Sequence, residues 1–345
     1  MKKAFLFILL AAAIFLVSYK LISSYNLLTF SGARERIDGF NLVAPRDKFP
    51  IDSLMAIKNI GAEWVAIVPY AFCDPADGNI IFGDNRQWWG ETPEGVKATI
   101  EMAHEAGLKV MLKPHLWIRG QGWAGDLDFP TNEAWKHWEA EYAHYLKTYI
   151  KIAEDYGVEL FCMGTEIRQS TRKRVDFWQQ QIKYIRAHYS GLITYAANWD
   201  EFEYITFWNQ LDFIGIDAYF PLSEAKTPNL SDLASAWTAP SAKMESMSKR
   251  YGRQVIFTEY GYESVDYPAI GHWNVNKDTL AINLIAQDQS YKALYEQFNE
   301  ADWWSGGFAW KWHLTRLDKN KRMQKAYTPQ LKPSLKTIEY YFNQK

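Results

Sequence analysis

Phe161-Cys162-Met163-Gly164-Thr165-Glu166 is a short apolar run that ends on an acid, and Ile167 and Arg168 follow it. A run of the same design lies further along: Val255-Ile256-Phe257-Thr258-Glu259-Tyr260-Gly261. Each reads as a buried strand terminating in Thr-Glu. A carboxylate at the end of such a strand is costly unless it has an ion-pair partner or a chemical task. Side chains alternate along a strand. Cys162 and Gly164 therefore share parity with Glu166, and Val255 and Phe257 with Glu259. The expected picture is two inward rows of small or apolar residues, each with its acid at the open end, facing a common cleft.

Working outward, strand-like runs alternate with amphipathic ones. The pattern predicts strands over residues 39–45, 64–72, 109–118, 160–166, 193–199, 213–221, 254–262 and 306–312. Residues 31–38 read as a polar linker. Helices are predicted over 52–60, 93–106, a Trp- and Tyr-bearing stretch after Pro130, 177–188, 231–250 with Pro240 near a break, 280–299 and 333–342. Thr92-Pro93-Glu94 is a helix start, with Thr as cap and Pro at the first position. Trp135, Trp138, Tyr142, Tyr145 and Tyr149 recur at spacings of three and four, one face of a helix packed on a core. Eight strands alternating with helices predict an α/β fold, a (β/α)8 TIM barrel preceded by an N-terminal hydrophobic signal or anchor helix. The roughly 320 residues after that segment suit an eightfold barrel. The runner-up, a doubly wound sheet, wants a glycine-rich phosphate turn after its first strand; Val43-Ala44-Pro45 is not one.

The first residues look like a targeting segment. Lys2 and Lys3 precede an unbroken apolar run from Ala4 to Val17, the n- and h-regions of an export signal. Extended to Ile22, with Lys20 snorkelling, the run approaches the roughly 20 residues of a spanning helix. Residues 1–24 are expected to be a signal anchor or signal peptide, and residues 25–345 an exported catalytic domain, anchored facing outward or secreted if cleaved.

The 345-residue chain has a net charge of −2, which gives no reason to expect nucleic acid as a partner. Its 16 Trp and 21 Tyr combine flat apolar faces with polar tips. That suits a carbohydrate cleft; the plain alternative is core packing of a large domain. Two cysteines, Cys73 and Cys162, exclude a disulfide framework and read as buried thiols. No Cys/His cluster has zinc spacing, so neither a metal nor a cofactor is expected.

Cleaving a glycosidic bond needs an acid for the leaving oxygen and a second carboxylate that attacks the sugar or activates water. Glu166 after the fourth strand and Glu259 in the seventh would face each other across a barrel mouth. This arrangement resembles the clan A glycoside hydrolases and, within them, glycoside hydrolase family 113, through Lys113-Pro114-His115, Gly164-Thr165-Glu166, Asp217-Ala218-Tyr219, Thr258-Glu259-Tyr260-Gly261 and Trp310. The resemblance implies a retaining hydrolase of β-linked polysaccharide or oligosaccharide, chiefly β-1,4-mannan, with Glu166 as acid/base and Glu259 as nucleophile. It departs at Thr165, where most of the clan carries the Asn that holds the sugar 2-hydroxyl.

Other strand ends supply candidate substrate-binding residues. Lys113, His115 and Trp117 share a parity; Lys113 is expected to pair with a carboxylate low in the barrel and His115 to meet a sugar hydroxyl. Asn198 is a further hydroxyl ligand. Tyr219 is expected to orient Glu259, and Trp310 to floor the central sugar site. Trp88, Trp89, Trp123 and Trp273 are expected in rim loops, Trp88 and Trp123 among the outer sugar sites. Arg168 is expected in a salt bridge elsewhere. Competing readings are a glycosidase for another β-glycan, an anchored sugar-binding barrel without turnover, and a metal-dependent barrel hydrolase.

Overall fold

The computed structural model describes residues 36–84, 86–120, 122–271, 279–315 and 321–344. The predicted export segment and Trp273 lie outside them. From Ile37 onward the chain forms one unit. Its strands are β1 (Ile37–Val43), β2 (Trp64–Ile67), β3 (Tyr70–Cys73), β4 (Ile80–Ile81), β5 (Lys109–Leu112), β6 (His115–Ile118), β7 (Leu160–Thr165), β8 (Leu192–Asn198), β9 (Phe213–Asp217), β10 (Gln254–Tyr260) and β11 (Trp304–His313). Eight of them close a parallel barrel in the order β1-β11-β10-β9-β8-β7-β5-β2. The predicted (β/α)8 barrel is the fold, and the two Thr-Glu strands, β7 and β10, are its fourth and seventh.

The helices form where caps and periodicity place them. Thr92 Oγ1 accepts the Gly95 amide at 3.2 Å, with Pro93 at the first position. The predicted aromatic helix runs from Asn132 to Asp155 and buries Trp135, Trp138, Tyr142, Tyr145 and Tyr149. Two expectations are corrected. The helix Leu230–Tyr251 passes through Pro240 without breaking; the buried face carrying Leu233, Trp237, Met244 and Met247 outweighs a penalty of about 3 kcal/mol for proline in a helix. The supposed linker is partly strand: β1 starts at Ile37, and Asp38 is buried within it.

The second and third predicted strands each divide in two. β2 and β5 stay in the barrel wall, while β3 and β6 leave it and pair with each other, with β4 on the outer edge. Pro69 and Pro114 sit at the two breaks and lack the N–H a ladder needs. Lys113 N still reaches Ile67 O at 2.9 Å, and His115 N reaches Pro69 O at 3.0 Å. The resulting small sheet stands above the barrel and carries Tyr70, Phe72, His115 and Trp117 beside its mouth.

Inside the barrel, Trp64, Ala66, Met111, Leu160, Cys162, Ala196, Ile256 and Phe308 form a closed apolar plug, separate from the larger core between barrel and helices. Val255, Phe257 and Met163 belong to the outer core. The simple alternation expected for both acid-bearing strands therefore fails. The β7–β8 register shifts between Cys162 and Thr165, and the β10–β9 register between Phe257 and Glu259. A Cβ on Gly164 would meet Trp178 and Tyr195 of the outer core, so this residue does not continue the Cys162 row. A bulge just before each acid re-aims it toward the opening, the use to which bulges beside functional sites are put.

Close approach also decides Gly307. A Cβ there would sit 2.1 Å from the Phe257 carbonyl oxygen, across the β10–β11 seam. Gly307→Ala is expected to destabilise the barrel by about 1–3 kcal/mol, as overpacking does. An unchanged urea midpoint in equilibrium unfolding would contradict this.

Candidate active site

Glu259 projects from β10 between Lys113 and Tyr219, and only 5% of it is exposed. The Lys113 ammonium, wholly buried just past β5, ion-pairs with Glu259 Oε1. Tyr219 Oη donates to Glu259 Oε2 at 2.7 Å. The turn after β9 is pinned for that purpose, since Ala218 N donates to the Glu259 carbonyl at 2.7 Å. Tyr219 thus orients Glu259 as expected, and the partner of Lys113 is Glu259 itself. Burial alone would push the Lys113 ammonium down, but the carboxyls of Glu259 and Asp217 more than offset it and hold it above its usual range.

Asp217, at the end of β9, is a member of this floor that sequence reasoning gave no role. It is fully buried, and Thr258 Oγ1 donates to its Oδ1 at 2.7 Å. Burial, then the charge of Glu259, drives its carboxyl well above the usual range. Its other oxygen, Oδ2, is buried without a hydrogen-bond partner among the described residues.

Glu166 stands in a different environment. It follows β7 with a left-handed backbone, φ 52°, and its amide donates to the Ala196 carbonyl at 2.8 Å. Part of its side chain stays open to the cleft. The protein nonetheless packs closely around the carboxyl. Desolvation first, and the negative charge of Glu259 second, raise it to about 8. Glu166 thus lies within the field of Glu259. Trp123 Nε1 donates to Glu166 Oε2. Arg168 stacks its guanidinium on the Trp123 ring at 4.4 Å and forms ion pairs with Asp126 at 2.8 Å and Asp200 at 3.3 Å. Arg168 is thus in salt bridges away from the acid, as its position suggested, and it braces the indole that touches Glu166. A Cβ at Gly125 would fall 2.5 Å from that ring, so glycine there makes room for it.

Trp88, Trp117 and Trp310 come together around a groove of about 330 Å³, with Tyr70, Phe72 and Lys311 also in its wall. Trp117 is 59% exposed and Trp88 41%. Trp310 lies over the floor, its ring 5.6 Å from Lys113 Nζ. Trp89 turns away from the rim and packs edge-on against Phe49. His115 lies against Tyr70, ring centroids 4.8 Å apart, and burial followed by the Lys113 charge pushes its imidazole down to about 3. It is neutral, with a buried Nδ1 that has no hydrogen-bond partner among the described residues. Asn198 Nδ2 donates to Asp200 at 2.9 Å, which places it beside the Arg168 network. Thr165 is buried next to Cys162 at the strand end. Cys73 and Cys162 are both free and buried. Among the described residues, no group of three or more His, Cys, Asp or Glu is arranged to hold a metal ion.

Sequence reasoning also passed over Glu201 and Tyr70. The only signal for Glu201 was an acid in a short aromatic segment after β8, indistinguishable from a surface turn.

An eightfold barrel with acids at its fourth and seventh strand ends, and an aromatic groove beside its mouth, fits a glycoside hydrolase. The model of Glycoside Hydrolase Family 113 matches residues 44–331, and the chain belongs to that family. A solved family 113 β-1,4-mannanase in complex form is 25% identical, with 90% of this chain and 100% of that one covered and a TM-score of 0.76. The family 113 β-mannanase of Alicyclobacillus acidocaldarius is 22% identical over 91% and 98%, with a TM-score of 0.78. A β-glucuronidase of Ruminococcus gnavus, 11% identical over 89% of this chain and 50% of that one, shares the fold alone at a TM-score of 0.60. A search of curated proteins found no match.

Removing one partner of a buried ion pair leaves the other charge uncompensated, at a cost of about 3–5 kcal/mol. Lys113→Met is expected to lose about that much stability, and adding Glu259→Gln to restore most of it. Urea unfolding of the single and double variants checks this; an additive double variant would show that the pair is not coupled.

Proposed function

We propose that the chain hydrolyses β-1,4-linked mannan or its oligosaccharides with retention of configuration, Glu166 serving as acid/base and Glu259 as nucleophile. The observation that carries the assignment of roles is the contrast between the two carboxyls. Glu259 is ion-paired with Lys113, whereas Glu166 holds a proton up to a pH of about 8. An acid whose surroundings strengthen its hold on a proton, and a second carboxylate held in an ion pair, are the arrangement an acid and a nucleophile require. Mannan follows from the family and from the solved β-1,4-mannanases the chain resembles.

In the first step a Glu259 oxygen attacks the anomeric carbon as the glycosidic C–O bond breaks. The bond's electron pair leaves with the oxygen, which takes the proton of Glu166. In the second, Glu166, now ionised, removes a proton from water whose oxygen attacks the same carbon and releases the Glu259 carboxylate. Lys113 and Tyr219 hold Glu259 in place throughout. Trp310 and the neutral His115 face the sugar at the floor, Asn198 offers a hydroxyl contact, and Trp117 and Trp88 continue the stacking surface outward. Trp123, touching Glu166, meets the leaving-group side.

Glu259→Gln is expected to abolish turnover of mannooligosaccharides. Glu166→Gln is expected to lose about 10²–10⁴ in rate, the usual contribution of a general acid. Wild-type kcat/KM is expected to fall as pH rises through about 8, where Glu166 gives up its proton. NMR of the first product formed from mannopentaose tests stereochemistry: α-anomer at first appearance, or full activity in either variant, would sink the reading.

We also propose that residues 1–24 direct export, on the strength of Lys2, Lys3 and the apolar run that follows. Cell fractionation is expected to find the chain outside the cytoplasm; a cytoplasmic pool lost to neither membrane nor medium speaks against it.

A further inference from the structure

Behind Glu166 lies an acid with no part in the steps above. Glu201 is fully buried in the turn that follows β8. Thr171 Oγ1 donates to its Oε1 at 2.6 Å, Tyr195 Oη lies 3.3 Å from the same oxygen, and Asn198 N lies 3.4 Å from Oε2. Tyr195 Oη also accepts the amide of Ile167 at 2.7 Å. That amide is the one next to Glu166. Because the tyrosine oxygen receives the amide hydrogen, its own hydrogen is left to point at Glu201.

We propose that Glu201 is a positioning residue for Glu166, fixing the left-handed turn from which Glu166 projects and placing a negative charge behind it. The proposal rests on the acid/base role assigned above to Glu166.

The contacts explain the first part. Left-handed backbone at a residue other than glycine is strained and persists only where the surroundings impose it. Glu166 is fixed on one side by the Ala196 carbonyl and on the other by the Ile167 amide held by Tyr195. Glu201 orients that tyrosine. Through Thr171 it also ties down the short helix Arg168–Lys173, the segment that carries Arg168 under Trp123. One buried carboxyl therefore joins the end of β8, the amide after the acid and the helix that braces its indole partner.

The charge explains the second part. Glu201 is among the groups that raise Glu166, behind desolvation and Glu259. Its own carboxyl is pushed up to about 7, by burial first, with three donors and the charge of Asp200 as lesser influences. The titratable neighbours facing it are Asp200, Tyr195 and Glu166. On the helix side its contact, Thr171, is uncharged, and Arg168 is committed to Asp126 and Asp200. Removing the negative charge at Glu201 lowers the hold of Glu166 on its proton, so the basic limb of the pH profile moves to lower pH. Glu201 has no exposed surface, so it does not itself touch substrate.

The test compares kcat/KM against pH for the full chain and the variants Glu201→Gln, Tyr195→Phe and Glu166→Gln. Two substrates are used: a mannooligosaccharide, whose leaving group needs a proton, and a dinitrophenyl β-mannoside, whose leaving group does not. Glu201→Gln is expected to lose about tenfold on the oligosaccharide, less than loss of the acid itself. It should retain the aryl activity and show a basic limb displaced downward by about half a pH unit or more. Tyr195→Phe keeps the charge, so it should lose oligosaccharide activity with the limb in place. Superimposable profiles for Glu201→Gln and wild type, or equal losses on both substrates, overturn the proposal. If Glu201→Gln does not fold, Tyr195→Phe decides: an oligosaccharide-selective loss supports the proposal, and its absence overturns it. Glu166→Gln separates the two readings. If it lacks leaving-group selectivity, the acid/base assignment fails; if it shows selectivity and Glu201→Gln does not, the Glu201 assignment fails alone.

Discussion

The buried ion pair between Lys113 and Glu259 is the constraint around which the mouth of this barrel is built. Charges taken out of water are tolerated only in pairs with their remaining hydrogen-bonding capacity met. Here the ammonium comes from the third barrel strand and the carboxylate from the seventh, so the contact spans the barrel above its apolar plug. Tyr219 occupies the other oxygen of Glu259, and the buried Asp217 sits beside the pair, tied to Thr258. The carboxylate is held from several sides, and few rotamers remain open to it. Such pre-organisation is what a reacting group needs if no reorganisation is to be required during the reaction.

Glu166 is treated in the opposite way. Among the described residues no cation is in direct contact with it; desolvation and the repulsion of other acids outweigh an indole N–H and the more distant Lys113. The barrel mouth therefore gives one carboxyl a cation in contact and strengthens the hold of the other on its proton. The difference lies less in the acids than in what each strand end brings beside them. β10 is flanked by the lysine after β5 and the tyrosine after β9. β7 is flanked by the long loop bearing Trp123 and by the buried Glu201 behind β8.

Backbone irregularity is what delivers both side chains to the cavity. On regular strands, Glu259 would share a face with Val255 and Phe257, which pack against the helices. A register shift in each strand, and the left-handed backbone at Glu166, turn the acids inward instead. The prolines at 69 and 114 work similarly on the other side of the mouth. They end two barrel strands early and raise a small sheet whose aromatic residues wall the groove. Both carboxyls and the aromatic wall of the groove thus sit at the points where the barrel departs from its own repeat.

The periodicity of apolar residues, the Thr-Pro-Glu helix start and the two strand-terminal acids were enough to determine an eightfold barrel with Glu166 and Glu259 at its fourth and seventh strands. These features are local, and local steric and hydrophobic preferences write them directly into the chain. The partnership of Tyr219 with Glu259 was also legible, because adjacent strand ends in a barrel are neighbours. The bulges were not: a shifted register depends on pairing with another strand, and no residue of the run announces it. Nor were the buried Asp217 beside the ion pair, the Trp123–Glu166 contact or the buried Glu201. Each owes its state to groups remote in sequence, and desolvation and Coulomb interaction depend on distance in space, which only the closed barrel sets.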